Sequence, residues 1–205
     1  MDRSRTFLAF SFLILALFGA ILPGCSTLAQ KFNEITALVK CQFRLASVSK
    51  VSLLGIPLAG KTRITDFNLL DAAKLQRSLS GGSLPLDLTL DLEVKNPNPS
   101  KASLSGMEWT LLLDGGELTR GRMDRPLTVP ADGGVSPLPL AVSLDLNQLL
   151  SGKNFDSMLN LALNIAGEGS KPTRLTMKVK PSISVAGQTI PYPGTLSVGA
   201  SFGGK

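Results

Sequence analysis

The sequence predicts a mainly β protein: an antiparallel β-sandwich of about seven strands with two or three short peripheral α-helices. Two observations lead to this fold class. Several stretches alternate apolar and polar residues, and successive side chains on a strand point to opposite faces of a sheet. Clusters of Gly, Pro, Asn and Asp separate these stretches, as turns do. Strands that each carry one apolar face bury it when two sheets pack on each other.

The clearest alternating stretch runs from Leu84 to Pro99. Its apolar side chains occupy every second position, at Leu84, Leu86, Leu88, Leu90, Leu92 and Val94. Proline has no N–H for a sheet ladder, so Asn96-Pro97-Asn98-Pro99 ends the strand. We interpret Asn96, Pro97 and Asn98 as a structural turn, because Asn bonds its own backbone and Pro restricts φ. The alternative is that the two amides meet a ligand at the end of the sandwich.

Two elements are predicted before this strand. The strand pattern over Phe43–Leu58 slips near Ser47–Lys50, which indicates a bulge or two short strands. A helix then begins after a cap at Asp66 or Asn68. Its apolar residues are Leu69, Leu70, Ala73, Leu75 and Leu79, and Gly81-Gly82 ends it.

Further strands and helical turns are predicted after it. Trp109, the single tryptophan, falls on the inward register of Met107–Leu113, and Asp114-Gly115-Gly116-Glu117 predicts a hairpin. Leu118–Met123 returns as an edge or exposed strand. The remaining strands are predicted over Leu127–Val129, Leu138–Leu146, Leu175–Val185 and Leu196–Ala200, and helical segments over Asn147–Leu150 and from Asn154 or Asp156 to Ile165.

The N-terminus has the pattern of an export signal. Arg3 and Arg5 precede an uncharged, mostly apolar run from Thr6 to Leu22. This run is shorter than the roughly 20 apolar residues that a spanning helix needs. A secretory signal peptide is therefore predicted, with an uncleaved membrane anchor as the alternative.

The run ends in Leu22-Pro23-Gly24-Cys25, which resembles the lipobox of bacterial lipoproteins. In those proteins the chain is cut before the cysteine, whose sulfur and amino group become acylated. The resemblance implies removal of residues 1–24 and membrane attachment through acyl chains such as palmitate on Cys25. Ser26, which is not Asp, implies an outer-membrane lipoprotein facing the periplasm, with inner-membrane anchoring as the alternative. A signal cut near Ala20, leaving Cys25 a plain thiol, also stays open.

The mature chain is divided into three predicted parts. Residues 25–42 form a lipid-anchored amphipathic helical tether, with apolar residues at helical spacing. Residues 43–200 form the sandwich, and residues 201–205 a flexible tail. With Cys25 acylated, Cys41 can form no disulfide within the chain and is expected to be a small buried hydrophobe.

Four features can be compared with known families: the strand Leu86–Val94 running into Asn96-Pro97-Asn98, the WTLLLDGGEL hairpin, the strand Leu138–Leu146 and the strand Leu175–Val185. Together they resemble the type 2 late-embryogenesis-abundant proteins. Their domain is also called the water-stress and hypersensitive-response domain. The resemblance covers roughly Phe43 to Val198. It implies a sandwich related to fibronectin type III and immunoglobulin-like domains, with helical additions. It also implies a stress-associated or envelope module without established catalytic activity, and bacterial members of the family occur as lipoproteins.

Several kinds of site are disfavoured by the residues themselves. The chain contains no histidine, which excludes Ser-His-Asp and Cys-His sites. Asp87 and Asp91 share a strand face with Glu93, but they lie about 14 Å apart along the strand, too far to share an ion. We interpret these carboxylates as a solvated face, opposite basic residues of a neighbouring strand: Arg174, Lys178 and Lys180. Catalytic residues, a metal site and a cofactor are not predicted.

The charges suggest a soluble surface without a nucleic-acid site. Lys and Arg number 21 against 15 Asp and Glu, a formal net charge of +6 without a basic cluster. The predicted function is a non-catalytic, lipid-anchored envelope protein that acts in binding, structure or stress protection, with an envelope protein as partner. The alternative is a carrier of an apolar ligand, or an accessory to envelope lipid transport.

Overall fold

The computed structural model describes residues 37–79, 82–149, 155–170, 173–185, 188–192 and 194–202. Residues 1–36, with the predicted signal peptide, Cys25 and most of the predicted tether, lie outside the described residues. The strands are β1 (Gln42–Leu53), β2 (Ile56–Pro57), β3 (Pro85–Asn96), β4 (Ala102–Leu104), β5 (Gly106–Leu113), β6 (Gly116–Met123), β7 (Leu127–Val129), β8 (Gly134–Asp145), β9 (Thr173–Val185), β10 (Gln188–Pro191) and β11 (Leu196–Phe202). The helices are α1 (Leu69–Leu79), α2 (Leu146–Leu149) and α3 (Phe155–Ile165), and residues 37–40, where the described chain begins, are also helical.

The predicted fold class is confirmed: the protein is mainly β, with antiparallel sheets and a few short helices. Seven of the described strands have seven or more residues, and the other four have two to four. Among the described helices, none is both long and apolar enough to cross a membrane.

The strands form two large sheets and a small one. The order is β2-β1-β3-β8 in the first sheet and β10-β9-β5-β6 in the second, where β11 also pairs with β9. β4 and β7 pair separately. β1 lies beside β11 and β8 beside β6, so the two large sheets come close to each other along both edges.

The core lies between these sheets and consists of the inward registers that the alternation predicts. Along β3 every second side chain is buried, from Leu86 to Asn96. Trp109 is 8% exposed on the inward face of β5, as predicted. It stacks closely on Gly121, its cross-strand partner in β6, where an added Cβ would come within 2.3 Å of the indole ring. Glycine is therefore required at that position.

A predicted bulge and a predicted hairpin are confirmed. The β1–β3 register shifts between Leu45 and Ser47 and again between Ser49 and Ser52, and Lys50 has φ 52°. These are the bulges expected from the slip in alternation. The β5–β6 hairpin turns at Asp114 and Gly115, which both have positive φ, 48° and 90°. Such a two-residue turn matches the twist of the strands that it joins.

Some boundaries differ from the prediction. β8 begins at Gly134 instead of Leu138, and Leu146, predicted as its last inward residue, begins α2. Asn68 caps α1, since its Oδ1 accepts a hydrogen bond from the Asp71 backbone N–H at 2.8 Å. Asp66, the other candidate cap, lies in a preceding 3-10 turn, Ile64–Asp66. Asn154, a candidate cap of α3, lies outside the described residues.

Candidate functional site: the Asn96–Asn98 junction

The Asn-Pro-Asn motif lies at the end of β3, where the chain leaves the first sheet. Asn96 continues the inward register of the strand and is 0% exposed, so an amide occupies a position that leucines occupy earlier. Asn98 is 8% exposed, and Pro97 between them is exposed. A buried polar side chain is stable only when it is hydrogen-bonded.

Asn96 bonds three segments at this end of the sandwich. Its Nδ2 donates to the backbone oxygen of Ser100 at 2.9 Å and to that of Val129 at 3.3 Å. Its Oδ1 accepts from the backbone N–H of Asn98 at 3.1 Å and from the Asn98 Nδ2 at 2.7 Å. Its own backbone oxygen accepts from the Gly133 N–H at 2.8 Å. One side chain thus holds together the β3–β4 loop and the end of β7.

Asn98 extends this network to the N-terminal segment. Its Nδ2 donates to the backbone oxygen of Ala37 at 2.8 Å, and its backbone oxygen accepts from the Asp132 N–H at 2.8 Å. Ala37 and Leu38 are each 3% exposed and belong to the core. We call Asn96, Asn98 and Ala37 with their mutual bonds the junction. The chain that precedes β1 is therefore docked on the sandwich at residue 37.

The chemistry available at the junction is limited to neutral amides. Both side chains already bond protein groups, and Pro97, the exposed member of the motif, has no N–H to offer. This geometry supports the interpretation of the motif as a structural turn over that of a ligand site. Sequence reasoning identified the turn but missed Ala37, because no local signal marks a partner 61 positions away.

The two cysteines differ in what the structure describes. Cys25, the predicted lipidation site, lies outside the described residues. Cys41 is buried and free. Its Sγ lies 3.4 Å from the Ala37 backbone oxygen, and burial raises the pKa of the thiol to about 11. A protonated, buried thiol is a poor nucleophile, which agrees with the predicted role as a small hydrophobe.

The carboxylates on the outer face of β3 pair with β1. Asp91 accepts from the Ser47 hydroxyl at 2.8 Å, and Glu93 forms an ion pair with Arg44 at 2.5 Å. The predicted partners Arg174, Lys178 and Lys180 were wrong, because β9 lies in the other sheet. Within the described ranges, no group of three or more His, Cys, Asp and Glu side chains could hold a metal ion.

Two surface grooves meet beside Glu168, after α3. One, of about 640 Å³, lies along the polar side of α3, and the other, of about 540 Å³, lies over the bulged part of β1. Both are open to solvent, and Glu168 Oε1 at their border accepts from the Gly60 backbone N–H at 3.1 Å. Neither groove is the enclosed apolar chamber that a carrier of a hydrophobic ligand would use. The carrier function stays a prediction.

Asp145, which sequence reasoning did not single out, lies at the end of the β3–β8 pair opposite Asn96 and has a well-defined role there. Its carboxylate accepts from the Ser83 hydroxyl at 2.6 Å and from the backbone N–H groups of Leu84 and Asn147 at 3.1 and 3.0 Å. The Ser83 hydroxyl, and then these backbone groups, lower the pKa of Asp145. An Asp directly before a helical turn is a cap signal that could have identified it.

Comparisons with known proteins give one family match and several similar solved structures. A model of the late embryogenesis abundant protein family (LEA_2) matches residues 91–195, slightly more than half of the 205 residues. No curated protein matches the sequence significantly.

Three of the similar solved structures illustrate the likeness. A crystal structure of a protein from Archaeoglobus fulgidus is 18% identical and covers 59% of this chain and 86% of its own, with a TM-score of 0.35. A solution structure of an Arabidopsis thaliana protein is 17% identical and covers 58% and 70%, with a TM-score of 0.36. A solution structure of a candidate late embryogenesis abundant (LEA) protein is 11% identical and covers 94% and 87%, with a TM-score of 0.37.

Proposed function

Because the chain belongs to the late embryogenesis abundant protein family (LEA_2), we propose that it is a non-catalytic β-sandwich module of the cell envelope. Acyl chains on Cys25 anchor it, and it acts through its surface in binding, envelope structure or protection under stress. The family is stress-associated and non-enzymatic.

The observation that carries the proposal is the docking of the N-terminal segment at the junction. Cys25 lies twelve positions before Ala37, an extended reach of about 40 Å. A membrane anchor at Cys25 therefore keeps the sandwich close to the bilayer. Because Asn98 binds the Ala37 backbone, the anchored part of the chain joins the sandwich at the junction end.

The described polar groups support action through surfaces. The amides of the junction bond one another and the backbone. The carboxylates of Asp91 and Glu93 are engaged by neighbouring side chains. Exposed ion pairs of this kind contribute little to stability, about 0–1 kcal/mol, and they leave a polar outer face for a partner protein in the envelope.

The anchor is tested by labelling the cells that express the full chain with radioactive palmitate. We expect label on the parent protein, loss of label in Cys25→Ser, and retained label in the matched control Cys41→Ala. Fractionation of the same cells should place the labelled protein in the outer membrane; recovery in the inner membrane supports the alternative location. Unchanged labelling of Cys25→Ser would refute acylation at that residue.

The binding role is tested by affinity isolation of the full chain from crosslinked envelopes. We expect a defined set of envelope proteins with the parent chain and loss of that set with Cys25→Ser, which removes the acyl anchor. Recovery of the same set with both chains would contradict a role that depends on anchoring. Recovery of no envelope protein would contradict a partner-binding module.

A further inference from the structure

The two most exposed large apolar side chains of the described residues are adjacent in the sequence. Leu69 and Leu70, at the start of α1, are 86% and 82% exposed. Ile64, a few positions earlier, is 41% exposed. Three of the six large apolar side chains exposed in the described chain thus lie within seven positions. We call Ile64, Leu69 and Leu70 the apolar tip. Single exposed leucines are ordinary, but a cluster marks a contact surface.

The geometry of α1 directs the tip outward. The helix packs on the sandwich through Leu75, which is 1% exposed. At about 100° per residue, Leu69 and Leu70 lie about 120° and 140° around the helix from Leu75. They cannot share its buried face. The Asn68 cap bonds the first turn at 2.8 Å, so the leucines are presented on an ordered turn.

The loop that carries Ile64 is held by local hydrogen bonds. Asp66 accepts from the Thr62 backbone N–H at 2.8 Å, from the Thr62 hydroxyl at 3.0 Å and from the Arg63 N–H at 3.1 Å. These hydrogen bonds lower the pKa of Asp66, and the bond from the Thr62 N–H contributes most to the shift. Phe67 is buried, and the Lys61 ammonium lies 5.0 Å from the centre of its ring. The exposure of the tip is therefore a property of an ordered loop.

The charges around the tip are predominantly basic. Residues 61–77 contain four basic residues, Lys61, Arg63, Lys74 and Arg77, and two acidic ones, Asp66 and Asp71. The exposed Arg63 side chain forms an ion pair with Asp66, with 3.5 Å between Arg63 Nε and Asp66 Oδ1. The remaining charges, Lys61, Lys74 and Arg77 against Asp71, leave an excess of two positive charges. Apolar side chains bordered by basic groups match the boundary of a bilayer, where acyl chains lie beneath anionic headgroups.

We propose that the apolar tip inserts into a lipid bilayer that carries anionic headgroups, as a membrane contact made by the folded domain itself. The Lys74 Nζ donates to the Leu54 backbone oxygen at 3.2 Å, and the Asn147 Nδ2 to that of Ser78 at 3.4 Å. These bonds place α1 at the end of the sandwich opposite the junction. The contact goes beyond the proposed function and does not depend on acylation of Cys25.

The test measures the depth of one side chain in a membrane. The full chain carries Cys25→Ser, so the buried Cys41 is its one native thiol, and Leu70→Cys is labelled with an environment-sensitive fluorophore. The vesicles contain phosphatidylcholine and phosphatidylglycerol with brominated acyl chains. We expect a blue shift of emission and quenching by the brominated chains. The matched control, a label at Ser143→Cys on the exposed face of β8, should stay accessible to aqueous iodide.

Further measurements distinguish a bilayer from a protein as the occupant of this surface. Leu69→Ser in the labelled chain should weaken the quenching without changing Tm, and vesicles of phosphatidylcholine alone should weaken it as well. Equal access of iodide to the labels at positions 70 and 143 on anionic vesicles would overturn the proposal. Protection of position 70 only after envelope proteins are added would also overturn it, because the occupant is then a protein. Loss of palmitate labelling at Cys25, in contrast, leaves this result unaffected.

Discussion

The β3–β8 ladder ends in two different ways. At one end Asn96, the last residue of β3, pairs with Gly134; at the other, Asp145, the last residue of β8, pairs with Pro85. Each side chain forms hydrogen bonds with the segment that follows its strand. Asn96 is neutral and 0% exposed, whereas Asp145 is a carboxylate that water partly reaches. A neutral amide can be satisfied by hydrogen bonds alone, while a charge is tolerated at low cost only near solvent.

The two ends also differ in what they show to the outside. The junction end buries polar groups that bond one another, and α1, at the Asp145 end, exposes leucines that no described side chain covers. Satisfied polar groups inside a protein indicate a structural role, and ordered apolar groups outside indicate a contact. The Asn96–Asn98 motif, one of the features on which the family resemblance rests, is therefore the less promising place to look for a partner.

The junction end should be the more sensitive to substitution. Asn96→Ala removes the donor to Ser100 and Val129 and the acceptor for Asn98, and it should lower the free energy of unfolding by about 3–4 kcal/mol. Urea denaturation followed by Trp109 fluorescence measures the loss. The control Asn160→Ala, at an exposed position of α3, should change it by less than about 0.5 kcal/mol. Equal costs of Asn96→Ala and Asn160→Ala would contradict a stabilising role of the buried Asn96 amide.

Asn98→Ala should release the N-terminal segment at a smaller cost, about 1–3 kcal/mol. The Ala37 carbonyl loses the Asn98 donor, whereas Asn96 Oδ1 loses one donor and keeps the Asn98 backbone N–H. With Ala37 released, Cys41 should become more accessible to thiol reagents. In a Cys25→Ser background, the rate of reaction with a disulfide reagent at neutral pH should rise relative to Asn160→Ala. A rate as slow as in the parent would mean that packing of Leu38, and not the Asn98 bond, docks the segment.

At the opposite end, Asp145→Ala removes a helix cap and should cost about 1–2 kcal/mol at neutral pH. The Ser83 hydroxyl and the backbone N–H groups of Leu84 and Asn147 lower the pKa of Asp145 in the folded protein. The unfolded chain therefore takes up the proton first, near pH 4. The stabilisation is present above that pH and is lost as the pH falls through the lower, folded pKa.

Thermal melts from pH 7 to pH 2.5 check this dependence. The difference in stability between the parent and Asp145→Ala should shrink as the pH falls below about 4. Asp124→Ala is the control, since its ion pair with Arg122 is exposed and contributes about 0–1 kcal/mol. A difference that stays constant with pH would contradict the role of the carboxylate charge.

The smallest effect on stability is expected at the apolar tip. Leu69→Ser combined with Leu70→Ser should change the free energy of unfolding by less than about 0.5 kcal/mol, because both side chains are already in water. Leu75→Ala, on the buried face of the same helix, should cost about 2–5 kcal/mol. A large loss in the double variant would show that the leucines pack on the protein, and would remove the reason to place them in a membrane.

Much of the fold could be predicted because its signals are local. Alternation set the inward registers of β3 and β8, and Asp114-Gly115 set the hairpin between β5 and β6. The resemblance to the type 2 late-embryogenesis-abundant proteins is confirmed by the family match over residues 91–195. Strand partners were harder: Arg174 and its neighbours were placed opposite β3, yet β9 pairs with β5. Pairing between distant strands leaves no trace in the alternation of either one.

The candidate site was predicted in part. The turn at Asn96-Pro97-Asn98 follows from local chemistry, but the bond from Asn98 to Ala37 joins residues 61 positions apart. The exposure of Leu69 and Leu70 was equally hidden, since five apolar residues on a helix do not say which of them face the core. The lipidation of Cys25 and the boundaries of the three predicted parts stay predictions.

By itself, the sequence determined where the long strands run to within a few residues, which face of each is apolar, where the chain turns and which family it resembles. These properties depend on side-chain period and on the φ preferences of Gly, Pro and Asn, which act over a few residues. Only the tertiary structure decided which strands are neighbours, that Asn96 is buried with its bonds satisfied, and that Leu69 and Leu70 face outward. Burial and pairing depend on parts of the chain that are distant in sequence, and that is why the junction and the apolar tip emerge only from the folded protein.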